Sequence, residues 1–206
     1  MFNDIPTTDV TKAQAPAGRV ETRGRRLDLV SMSIVVYSFC ATTFFGALLF
    51  DLVVLYPNVF ANIPASLELT SEYLTVANPG TLFPRVGQAT LLSGIIAVAF
   101  NWRVSKARNI LLFSLAILFG GTYLITELFF NGRNEILFLE GVAQHSVGEL
   151  QAVSREFLLV NWVRVAVVFV APWLAQAALL ISHASAISRN SALQAKPVHV
   201  DGDVKA

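Results

Sequence analysis

Asp51, Arg85, Glu127 and Arg164 are ionisable residues set inside, or at the edge of, four long apolar runs, one in each. A charge in hydrocarbon is costly, so such residues face a bundle interior or a water-filled cavity and by default mark a working site. Two are negative and two positive, the balance a low-dielectric site favours. Glu127 or Asp51 could serve as a general base. Arg164, with Asn161 at i, i+3, could stabilise a developing oxyanion.

Spacing adds companions. Thr43, Ala47 and Asp51 follow at four-residue steps and share a helix face. Arg85 and Gln88 open the second run at i, i+3. Gly120, Tyr123, Glu127, Asn131 and Asn134 form one stripe, provided the third helix continues past Phe130. Ser154 lies two turns before Asn161 and Arg164. The expectation is a polar pocket inside the bundle, in the outer half of the bilayer and opening toward the outer face, with Glu127, Asp51, Arg164 and Asn161 as catalytic candidates. Arg85, Tyr123, Asn131 and Asn134 are expected to bind substrate. The opposite half of each run reads as almost purely apolar. The structural alternative is two buried ion pairs, Asp51 and Glu127 each with an arginine, that fix helix register and bind nothing.

Other chemistries are argued against. His145, His183 and His199 do not pair within two apolar runs at matching depth, which argues against bis-histidine haem. No set of three neutral nitrogen or sulfur ligands suggests zinc or copper. His145 with Glu140 or Glu149 could hold a metal at a loop surface, but a solvated histidine is the commoner outcome. No phosphate-binding glycine motif or nucleophile elbow appears. Cys40 is the one cysteine, so no internal disulfide forms. No metal and no cofactor are expected. A net charge of +1 gives no field for nucleic acid.

The elements that must position these residues follow from composition. Of 206 residues, 54% are hydrophobic and 14% charged, against about 25% charged in soluble domains. A membrane-spanning helix needs about 20 mostly apolar residues. Four stretches qualify, roughly Leu29–Tyr56, Phe83–Phe100, Ile110–Phe130 and Glu156–Ser182. Pro84 is read as opening the second. The first is too long for a signal core and has no cleavage pattern, so it is read as retained. Trp102 and Trp162, near run ends, fit interfacial belts.

Lysine and arginine set topology. Lys12, Arg19, Arg23, Arg25 and Arg26 precede the first run. Arg103, Lys106 and Arg108 join the second to the third. Arg189, Lys196 and Lys205 follow the fourth. The other two connections, about Pro57–Leu82 and Asn131–Arg155, are poor in basic residues. The expected fold is therefore all-α, a transmembrane four-helix bundle with N and C termini cytoplasmic. Residues 28–184 form the bundle, between disordered tails at 1–27 and 185–206. Short loops and one cysteine fit a bacterial inner membrane. The absence of internal repeats argues against an inverted-repeat transporter.

Three segments carry a resemblance. They are SEYLTVANPGTLFPRVG (Ser71–Gly87), NGRNE (Asn131–Glu135) after YLITELFF, and REFLLVNWVRVAVVFVAPWLAQAALL (Arg155–Leu180). Together they resemble the anthrone-oxygenase-like family of small four-helix membrane proteins, over most of residues 31–180. The resemblance implies cofactor-independent oxidation of a lipophilic aromatic or quinone-like substrate. Asn131, Asn134, Asn161 and Arg164 are the matching positions, and Trp162 joins the substrate-binding candidates. Two further functions stand beside this one. One is a non-catalytic subunit or stabiliser of a larger membrane complex, or of a homo-oligomer. The other is binding or transport of a small amphiphile. In each the lipid bilayer is the first partner.

Overall fold

Backbone amides in hydrocarbon have no water to bond, and a helix satisfies them within its own segment. The computed structural model describes residues 17–194, which are helical apart from short connections and contain no strand. Four helical stretches are long and apolar enough to cross a bilayer: Leu29–Val59, Pro79–Phe100, Ser105–Ala143 and Val147–Ser188. They correspond one for one to the four expected spans.

The boundaries move outward. The first helix begins at Ala17, so Arg23, Arg25 and Arg26 are helical rather than part of a disordered tail. The last helix runs Val147–Gln194, which makes residues 185–194 helical as well. Residues 1–16 and 195–206 of the expected tails lie outside the described residues. The second span starts at Pro79, not near Pro84. Asn78 caps it: its Oδ1 accepts from the Thr81 amide at 3.0 Å, and Thr81 Oγ1 accepts from the Asn78 amide at 3.3 Å. Pro79 sits where a missing N–H is harmless. Pro84 is then interior, which removes the i+4 donor of the Gly80 carbonyl. The expected loop Asn131–Arg155 is mostly helix, with a tight turn near residues 144–146.

The third span is α-helical over Ser105–Phe119 and then carries three π-helical stretches, Gly120–Leu124, Thr126–Phe130 and Glu135–Glu140. The first span has one, Asp51–Leu55, just before Pro57. Proline cannot donate and crowds the turn before it, which gives this widening a cause. Such insertions recur at functional sites.

The first span packs on the second and fourth, and the third packs on the fourth. The second and third meet along Ser105–Phe119. Small residues allow these approaches, as is usual where lipid supplies no hydrophobic drive. Ala97, Ala107, Ala171, Ala175 and Ala178 are fully buried. A Cβ on Gly94 would stand 2.8 Å from the Tyr37 ring, so only glycine fits there. At the end away from the termini, a further helix, Ala65–Tyr73, lies across the bundle. Its Leu67, with Ile63 and Val59, packs into Leu137, Leu150 and Phe157. Sequence reading treated this segment as plain loop.

Candidate functional site

Beyond Gly120 the second and third spans part, and a cavity of about 630 Å³ opens between the first three spans. That volume falls within the range of small-molecule sites. The helix Ala65–Tyr73 roofs it through Thr70 and Ser71, and Arg164 of the fourth span reaches it from the back. Phe44, Phe83, Phe130 and Phe157 give it an aromatic wall. At the floor Tyr123 stacks on Phe119, ring centres 5.5 Å apart, and its hydroxyl reaches toward Gly87 of the second span.

The stripe expected on the third span faces this cavity. Tyr123, Glu127, Asn131 and Asn134 all line it. The helix does continue past Phe130, and π-winding brings Thr122 and Thr126 to the same wall. The Asn131 amide donates to Glu127 Oε2 at 2.8 Å, which holds that carboxylate on the wall. Both side chains are exposed.

Behind the cavity lies a second group. Asp51, Tyr56, Asn161 and Arg164 are all buried. The Arg164 charge acts on Asp51 and Tyr56, and the Tyr56 hydroxyl lies beside Asn161 and Arg164. The Arg164 guanidinium carbon sits 4.3 Å from the centre of the Phe130 ring, within cation–π range. Arg164 and Tyr56 line the cavity, whereas Asp51 and Asn161 stand behind them.

This group is not closed on itself. Arg164 Nε, Asp51 Oδ2, both amide atoms of Asn161 and the Tyr123 hydroxyl are buried without a hydrogen-bond partner. Buried polar groups are nearly always paired, and each one left unpaired costs about 1–3 kcal/mol. The two ion pairs of the structural alternative are not formed among the described residues. Glu127 is held by an asparagine, and Arg164 has no carboxylate within ion-pair distance. The third and fourth spans are instead tied by Arg133 to Glu156 at 2.8 Å.

No family model, curated protein or solved structure matches this chain.

The site therefore rests on its own geometry. Of the expected residues, the cavity gathers Tyr123, Glu127, Asn131, Asn134 and Arg164, with Asp51 and Asn161 just behind. Arg85 and Trp162 are corrections: both are exposed side chains that do not line it. Run position, which suggested Arg85, and the family resemblance, which suggested Trp162, do not give a side chain's direction around the helix, and both are exposed. The reading of the opposite half as apolar is corrected too. There Tyr37 and Ser114 share a hydrogen bond at 2.7 Å, and Ser114 donates to the Ala171 carbonyl at 2.9 Å. Ser182 donates to Asn101 Oδ1 at 3.1 Å, and Gln176 to Ser38 Oγ at 2.6 Å. Sequence reasoning missed Tyr56 and the roof. The NPGT run at residues 78–81, a cap followed by proline, was the signal that the second span starts early.

His145 is not a free loop histidine. Its Nε2 lies 2.6 Å from Glu140 Oε2 and its Nδ1 3.1 Å from Glu149 Oε1. These contacts clasp the turn between the third and fourth spans beside Gly141, whose φ of 53° suits glycine. The bond to Glu140, then that to Glu149, holds the imidazole pKa above its ordinary value.

Proposed function

We propose that this integral membrane protein binds a lipophilic ring compound in the cavity, with an oxygen of that compound accepting hydrogen bonds from Arg164. The observation that carries the reading is a buried guanidinium whose Nε has no partner, at the back of a cavity otherwise walled largely by apolar and aromatic side chains. Each face of an aromatic ligand would meet Phe44, Phe83 or Phe130. Tyr56 and Tyr123 supply further hydroxyls. Asp51 and Asn161 stand buried behind Arg164, with Asp51 supplying a nearby opposite charge. The basic bias of the termini supports a cavity end that faces away from the cytoplasm.

Glu127 favours a catalytic reading of the same pocket, in line with the resemblance to anthrone oxygenases. Its carboxylate lies on the wall with one oxygen engaged by Asn131. It would take a proton from an activated ring methylene. Arg164 would hold the resulting enolate oxygen, and dioxygen would then convert the methylene to a carbonyl with release of water.

The test uses matched ligands. Fluorenone and fluorene share a ring system and differ by one carbonyl oxygen. In lipid nanodiscs fluorenone binds about tenfold more tightly, the worth of one good hydrogen bond, and Arg164→Gln removes that preference. Equal affinity for the two in the unaltered chain refutes the role of Arg164. With anthrone and dioxygen, Glu127→Gln abolishes turnover while fluorenone binding survives. Turnover undiminished in that variant removes the catalytic reading and leaves the binding one.

A further inference from the structure

We infer that the cavity takes its ligand sideways from the bilayer, through the gap between the second and third spans, and that this ligand is a neutral, membrane-dissolved ring compound with an acceptor oxygen. The inference rests on the reading of the cavity as a ligand site. Three observations carry it.

The end of the bundle away from the termini is roofed in part by an apolar layer. Leu67 of the roofing helix, Ile63 and Val59 pack against Leu137, Leu150 and Phe157, all of them buried. Ser71 and Leu139 line the cavity at this end and remain exposed, so the roof narrows the aqueous approach without closing it.

The side is open. The second and third spans hold each other along Ser105–Phe119 and separate beyond it. Gly80 and Pro84 of the second span and Glu127 and Asn131 of the third line the cavity and are nevertheless exposed, so the cavity is open along this gap. The residues flanking that gap, Leu82, Leu124 and Leu128, are exposed leucines, the side chains of a lipid-facing surface.

The charges select a neutral molecule. Glu127 stands at the gap and repels an anion on its way in. At the back, Asp51 is buried behind Arg164 outside ion-pair distance, and Arg164 Nε lacks a hydrogen-bond partner. A carbonyl or hydroxyl oxygen satisfies it.

The experiment follows binding rates in nanodiscs by fluorenone emission after rapid mixing. A Cys40→Ser, Leu124→Cys chain is measured before and after alkylation with N-benzylmaleimide. A Cys40→Ser, Tyr73→Cys chain places the same adduct on the roof. The adduct at 124 slows association and dissociation alike, by about tenfold, leaving their ratio unchanged, because it raises a barrier and not an end state. The adduct at 73 changes neither, and the water-soluble fluorenone carboxylate binds at least tenfold more weakly than fluorenone. Slowing confined to position 73, slowing equal at both positions, or no slowing at either overturns the lateral route while the pocket stands. Carboxylate binding as tight as that of fluorenone overturns the neutral class. If fluorenone and fluorene bind alike to the unaltered chain, the pocket reading falls and the route with it.

Discussion

The two halves of this bundle handle buried polarity in opposite ways. Toward the termini, Tyr37, Ser114, Asn101, Ser182, Ser38 and Gln176 are joined in hydrogen bonds that cross from span to span. Toward the roofed end, Asp51, Asn161, Arg164 and Tyr123 keep atoms without partners. Both halves are buried within helices of similar make. The difference lies in winding and spacing. Below Phe119 the third span is regular and close-packed, and above it π-helical turns and a departing neighbour leave a cavity. Polar residues therefore hold the lower half together, whereas those of the upper half keep unmet hydrogen-bonding capacity.

The largest expected effect breaks the upper half. Asp51→Asn leaves Arg164 uncompensated and lowers stability by about 3 kcal/mol, the low end of the range for a broken buried pair because the two do not touch. Adding Arg164→Gln restores most of the loss. Unfolding in mixed micelles, followed by tryptophan fluorescence, measures both. A double variant as unstable as the sum of its parts would show that the two charges are not coupled.

Glycines separate the halves next. Gly94→Ala drives a methyl into Leu115 and the Tyr37 ring, and overpacking of this kind costs about 1–3 kcal/mol. Gly87→Ala meets Tyr123 and Phe44 at ordinary contact distances, 3.4 and 3.6 Å, and stays within about 0.5 kcal/mol of the parent. The same unfolding assay reads both. A reversed order would place the tight packing at the wrong end.

Ser114→Ala in the satisfied half removes the hydroxyl shared by Tyr37 and the Ala171 carbonyl, and lowers stability by about 1 kcal/mol without altering fluorenone affinity. An equal loss of ligand binding would mean that the halves are not separable.

The smallest effect belongs to the turn at His145. The folded-state pKa is raised above 6.5 by Glu140 and Glu149. The contribution of the clasp to stability is therefore fully present below about pH 6.5 and fades as pH rises through the folded value. An NMR titration of the imidazole reads this directly. In His145→Asn the stability difference between acidic and neutral pH disappears, and a titration at or below the ordinary value would remove the clasp.

Much of this architecture could be read from the residues. Apolar length located four spans, and three- and four-residue spacing placed Tyr123, Glu127, Asn131 and Asn134 on one face. Arg164 stood out as a charge two turns inside its run. Depth put Arg85 in the pocket and the family resemblance put Trp162 there, and neither tells which way a side chain points. Loops were drawn too long, since Arg133, Glu135 and Glu156 are charged and yet lie within helices. The satisfied network was invisible for another reason. Single serines and a tyrosine within apolar runs register as background, and only packing shows Ser114 touching both Tyr37 and Ala171. The cavity itself arises where two helices fail to pack, a property of pairs that no single run displays.

The central claim, that Arg164 waits for a ligand oxygen, is tested most directly by infrared spectroscopy of carbon-13-carbonyl fluorenone in nanodiscs containing the protein. The account expects a carbonyl band shifted to lower frequency than in protein-free nanodiscs, as hydrogen bonding to a guanidinium requires. In Arg164→Gln that band returns toward the lipid value. An unshifted carbonyl in the unaltered chain, at concentrations where fluorenone is bound, would contradict the claim.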